Sequence, residues 1–191
     1  MKKSILYFLM MAVVFTTVSC GGGRDDSTEI AEEQNEETLT NKEDDAADFA
    51  VEAADAGLME VELGTLALTK ASSPEVKSFA QMVVDDHTKA NNELKALAQQ
   101  KNISLPMAMG NEHQRKVENL TEKTAAEFDK EYIDLMVRDH KDVIDEFEDE
   151  AEDGNDTEIK AWASSKVATL RRHLQEAERI QESLKKTNNN Q

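Results

Sequence analysis

Apolar residues recur three and four positions apart through most of the chain, the spacing that gathers them on one face of an α-helix. A first stripe, over about 46–70, carries Phe49, Ala53, Ala56, Met59, Leu63, Leu66 and Ala67. A second opens at Ser72-Ser73-Pro74-Glu75, where a serine cap, a first-turn proline and a glutamate mark a helix start. Its buried face is predicted to be Val76, Phe79, Ala80, Val83, Ala90, Leu94 and Leu97. A break over 102–110, containing Pro106, ends it, and a short helix is expected over 112–122. Thr124-Ala125-Ala126-Glu127 reads as a capping box for a third long helix, with Phe128, Tyr132, Leu135, Met136, Val143 and Phe147 inward and Gly154 as its stop. Asn155 or Asp156 caps a fourth, striped by Ile159, Trp162, Ala163, Val167, Leu170, Leu174, Ala177, Ile180 and Leu184. Short connections favour antiparallel neighbours. The expected fold is all-α: an antiparallel four-helix bundle over 46–187, one short extra helix between helices 2 and 3, and a frayed tail at 188–191.

The first 45 residues follow a different pattern. Lys2 and Lys3 precede an apolar run from Ile5 to Val14, and small residues then lead to Cys20. That order is the order of a secretory signal, and the run is short of the ~20 residues a membrane-spanning helix needs. Thr17-Val18-Ser19-Cys20 resembles a lipobox, with Thr17 where leucine is usual. Residues 1–19 are therefore expected to be a signal peptide and Cys20 a lipidated residue that anchors the chain to a membrane. Cys20 is the single cysteine, so lipidation leaves no thiol for disulfides or metal. Residues 20–45 hold few apolar side chains and many acids, and are expected to form a disordered acidic tether. Arg24-Asp25-Asp26 is similar to the surface-export signals of Bacteroidetes lipoproteins, although three residues in an acidic linker need no such role.

Charge narrows the partners. The formal net charge is −18, and removal of Lys2 and Lys3 with the signal takes it to −20. Such a chain is repelled by nucleic acid and by anionic lipid headgroups, which excludes nucleic-acid binding. Metal cations and cationic partners remain open, among them another protein of the cell envelope.

Helices two and three echo one another. Phe79 to Leu94 reads FAQMVVDDHTKANNEL and Tyr132 to Phe147 reads YIDLMVRDHKDVIDEF. This register matches Phe79 to Tyr132, Asp86 to Asp139, His87 to His140 and Glu93 to Glu146, as a duplicated two-helix unit would. His87 and His140 each fall in the apolar stripe of their helix, as do His173 on the fourth helix and Glu60 on the first. All four lie near mid-helix, the level at which antiparallel helices meet. Three imidazoles and a carboxylate suit Zn, Fe, Cu or Ni. The same residues also suit a metal-free polar layer, and a small rotation would turn Asp86 and Asp139 inward instead. His113, on the short helix, is read as a surface residue.

The segment Glu60-Val61-Glu62-Leu63-Gly64, the stretch from Val76 to His87, Phe128-Asp129, Met136 to His140 and the late His173 together resemble the DUF4142 family. The resemblance spans about 46–184 and implies a ferritin-like bundle outside the cytoplasm, with no established activity. Di-iron bundles use Glu-x-x-His on two helices. Here the positions three before the histidines hold Val84, Val137, Leu170 and Gly110, which argues against a carboxylate-bridged di-iron centre. Serine- or cysteine-nucleophile motifs, phosphate loops and zinc-protease motifs are not found either. Enzyme activity thus ranks behind two readings: a lipid-anchored bundle that binds a transition metal, and a metal-free structural or protein-interaction module of the envelope.

Overall fold

The computed structural model describes residues 26–188 and contains helices but no strands among them: α1 (Ser27–Thr38), α2 (Asn41–Lys70), α3 (Pro74–Lys101), α4 (Asn111–Thr121), α5 (Ala125–Asp153) and α6 (Thr157–Asn188). The signal-like segment and Cys20 lie outside the described residues.

The boundaries follow local chemistry. Ser73 accepts from the Val76 N–H with Pro74 in the first turn of α3. The Thr124–Glu127 capping box opens α5, and Asp156 Oδ1 accepts the Glu158 and Ile159 N–H groups, both at 3.0 Å, to open α6. α3 ends at Asn102, whose φ of 57° is left-handed, a conformation asparagine tolerates better than most residues.

α2 packs on α3 and α5, and α6 packs on α5 and α3. Each long helix runs antiparallel to its neighbours. Ser72 and Ser73, where α2 gives way to α3, donate to Asp129 near the start of α5, while Asn155 after α5 donates to Asp45 early in α2. Likewise Lys101 at the end of α3 pairs with Asp156 before α6, and Arg179 late in α6 with Glu75 early in α3. Gly64 lets α2 and α3 approach closely, because a Cβ there would stand 2.6 Å from Val84 Cγ2.

The core divides into two apolar clusters. One gathers Met59, Leu63, Phe79, Val83, Phe128, Tyr132, Met136 and Ile180. The other gathers Phe49, Leu94, Ile144, Phe147, Ile159 and Leu170. Between them, at mid-helix, lie His87, His140 and His173.

The N-terminal part of the domain differs from the expected tether. Residues 27–38 form α1, which packs on α2, and α2 itself starts at Asn41 rather than near 46, opened by a Thr40–Glu43 capping box. α1 buries Ala31 and Asn35. The Asn35 amide accepts the Ser104 N–H at 2.7 Å and donates to the Ser104 carbonyl at 3.0 Å. Ser27 Oγ accepts from Met107 and Ala108 N–H groups, and Asp26 Oδ2 accepts from Asn111 N–H. Polar clamps thus do for α1 what an apolar stripe does for the longer helices.

Candidate metal centre

Each histidine reaches the middle of the molecule from a different helix: His87 from α3, His140 from α5 and His173 from α6. Each offers one ring nitrogen, and the three nitrogens lie within 4.8 Å of one another. Ring centroids are 5.3–5.8 Å apart. His140 and His173 are buried, and Nε2 of His87 is buried without a hydrogen-bond partner.

Neighbours fix which nitrogens carry protons. The Met136 carbonyl can only accept, so His140 Nδ1–H donates to it at 3.0 Å. The Asp86 carboxylate likewise accepts from His173 Nε2–H at 2.9 Å. With both rings neutral, His140 Nε2 and His173 Nδ1 each hold a lone pair, and these two atoms face one another at 3.3 Å. Backing of ring N–H groups by a carbonyl and a carboxylate is how proteins orient imidazoles toward a metal.

The surroundings keep the rings neutral. Burial, then the charges His140 and His173 would carry, push His87 well below its ordinary range. Burial and His173 push His140 down to about 3 against the opposing Met136 hydrogen bond. Burial lowers His173 too, partly offset by Asp86. Glu60 moves the other way: burial foremost, then the charge of Asp139 and a shared hydrogen bond with it, hold its carboxyl well above the usual range. Tyr132 is raised by burial and by Glu60, and its hydroxyl has no partner.

Glu60 is at the expected depth, but it does not join the three ring nitrogens. Its Oε1 stands 3.5 Å from His140 Nδ1, the edge that donates to Met136, and so lies behind His140 rather than among the lone pairs. Asp86 and Asp139 do not displace the histidines. Asp86 backs His173, and Asp139 stands near Glu60 with its Oδ1 3.7 Å from Lys116 Nζ.

A profile of the family described as a domain of unknown function, DUF4142, matches residues 30–180. The chain belongs to that family. No curated protein matches the chain in sequence. Two solved structures share the fold. A DUF305 fragment from Deinococcus radiodurans superposes with a TM-score of 0.65 at 16% identity, covering 75% of this chain and 97% of that one. CopM in its Cu(II)-bound form superposes with a TM-score of 0.62 at 18% identity, covering 72% and 96%. At such identities the likeness concerns the fold alone.

Within this DUF4142 fold the sequence echo acquires a geometry. α3 and α5 each pack against both α2 and α6 and run in the same direction, and their matched residues approach one another. The Phe79 and Tyr132 rings are 6.1 Å apart, and those of His87 and His140 are 5.8 Å apart. α3 is the second helix of its hairpin and α5 the first of its own, so the echo relates diagonal helices rather than one hairpin to the next. His173 stands beside Asp86 on α3, and Glu60 beside the matching Asp139 on α5. His113 departs from its reading as a surface residue. It is half-buried on α4, with Nδ1 2.7 Å from Asp55 Oδ2, while Asp55 Oδ1 accepts the Gly110 N–H.

Proposed function

We propose that this chain is a lipid-anchored protein of the cell envelope whose ferritin-like four-helix bundle binds a transition-metal ion through His87, His140 and His173. One observation carries the reading: His140 Nε2 and His173 Nδ1 face each other at 3.3 Å with their other nitrogens already donating elsewhere. Two buried lone pairs at that distance repel unless a cation lies between them. Two imidazole nitrogens held at roughly 2.0–2.1 Å by one tetrahedral ion stand about 3.3 Å apart, so the existing spacing suits such an ion. His87 has to move inward to complete the set. An imidazole set suits Cu(II), Zn, Ni or Fe, and the Cu(II)-bound form of a protein with this fold favours copper as the first metal to try. The anchor rests on Cys20 and the signal-like residues before it. The expected Glu60 ligand is replaced here by a role behind His140.

The competing reading is a metal-free structural or protein-interaction module. In it a proton on His173 lets Nδ1 donate to His140 Nε2 while Asp86 balances the charge. Metal analysis of untagged protein separates the two, together with replacement of His87 and His140 by Gln. A metal site predicts bound metal, a melting temperature that rises on loading, and loss of both in the double variant. Wild-type protein that stays metal-free when offered Cu, Zn, Ni and Fe at neutral pH would reject the metal site.

A further inference from the structure

The histidines do not close around the space between them. A cavity of about 190 Å³ borders all three, walled further out by Ala56, Gly57, Ala90, Phe147, Trp162 and Lys166. One water needs roughly 10–15 Å³ of such volume, so an ion leaves room there for further occupants. α2 lines this wall with Ala53, Ala56 and Gly57, and one turn on with Glu60. Among the described residues, no fourth protein ligand joins the three nitrogens. Asp86 is engaged by His173 Nε2 and by Arg172, and Glu60 faces the far edge of His140. Nε2 of His87 is left buried and unpartnered beside the cavity.

Resting on the metal reading above, we infer that an ion held by His87, His140 and His173 keeps a coordination position open to this cavity and takes a small anion there. Three protein ligands with one position left free is the arrangement of metal sites that bind exogenous ligands, whereas structural sites are closed by four. Three neutral imidazoles leave the charge of a divalent ion uncancelled, so the open position favours an anion over a neutral ligand. Lys89 and Lys166 both line the rim and share the one carboxylate of Glu93, which leaves the lysines in excess there. Glu60 and Asp86 also line the cavity, but burial holds the Glu60 carboxyl well above its usual range, and the Asp86 carboxylate is already engaged by His173 Nε2–H and Arg172.

The test uses the copper-loaded full domain with azide as the anion. The expected result is an azide-to-Cu(II) charge-transfer absorption that saturates on titration, with copper content unchanged after gel filtration. Ala90→Leu, on α3, and Ala56→Leu, on α2, fill the cavity from two sides. Either variant that retains copper is expected to lose at least tenfold in azide affinity. Copper that stays bound with no response to azide overturns the open position, as does azide that merely strips the metal. Equal azide affinity in wild type and in the filled variants overturns the cavity as its route. Wild-type protein that binds no copper or other metal overturns the metal reading itself, a failure visible before azide is added.

Discussion

Asp86 holds the Nε2–H of His173 at 2.9 Å, and by doing so turns His173 Nδ1 toward His140. A carboxylate behind a ligating imidazole fixes its tautomer and raises its basicity, and loss of such a partner costs about 10–100-fold in metal affinity. Asp86→Asn is therefore expected to weaken metal binding by that factor in a competition titration. Asp139→Asn, at the equivalent place on α5, should change it much less because Asp139 faces Glu60. Equal losses in the two variants would remove Asp86 from this role.

In metal-free protein the histidine layer should lose stability on mild acidification. His87, His140 and His173 all titrate below their ordinary range when folded, His140 at about 3. From about pH 6.5 downward the unfolded chain binds protons that the folded chain does not, at a cost of up to about 1.4 kcal/mol per pH unit for each histidine. Their contribution is present above about pH 6.5 and is lost as pH falls toward the folded values. Glu60 acts in the opposite sense. Its raised carboxyl keeps a proton when folded, so its contribution is full below about pH 4.5 and lost as pH rises through the folded value. Within the histidine layer three groups stand against one, while the raised carboxyls of Glu32, Asp48, Glu52, Glu146 and Glu150 elsewhere act in the sense of Glu60. The layer is therefore read by difference: between about pH 7 and pH 5 the melting midpoint should fall more steeply in wild type than in His140→Gln. A slope unchanged in His140→Gln would contradict the neutral buried cluster.

The long helices and the histidine layer were legible because each depends on periodicity within a single helix. Val83–His87–Ala90 and Met136–His140–Val143 put an imidazole in an apolar stripe whatever the partner helix is. Which atoms those imidazoles use was not legible, since Asp86 and the Met136 carbonyl act through tautomer choice, which spacing does not encode. Glu60 satisfied the same periodicity and reached the same level, yet its Oε1 lies 3.5 Å from His140 Nδ1, on the edge of the ring away from the other imidazoles. α1 was missed because the inward face of a helix this polar rests on Ala31 and Asn35, too little for a stripe. Thr40 and Glu43, three apart, were a readable start signal for α2 that the acidic composition around them obscured.

The anchor is tested apart from the fold, since Cys20 lies outside the described residues. Cys20→Ala should abolish incorporation of labelled lipid and move the protein from the membrane fraction to the soluble one. Membrane attachment that persists without the cysteine would show that something else holds the chain there.

Asn35 tests whether α1 belongs to the folded domain. Its side chain is fully buried, and both polar atoms of the amide are spent on the backbone of Ser104, 69 residues away. Asn35→Ala leaves the Ser104 N–H and carbonyl without those partners, and leaving buried polar groups unpaired costs about 1–3 kcal/mol. For a domain of this size, each kcal/mol lowers the melting midpoint by roughly 2–4 °C. The variant should therefore melt several degrees lower while its metal content is unchanged, because Asn35 pins the connection after α3 and touches none of the three histidines. Removal of residues 21–40 should cost more, since it also takes away Ala31, the Asp26 contact to Asn111 and the Ser27 contacts to Met107 and Ala108. Hydrogen exchange should show the matching change, with faster exchange over 103–111 in either variant than in wild type. A truncated protein that melts with the wild type would return 21–40 to the status of a tether.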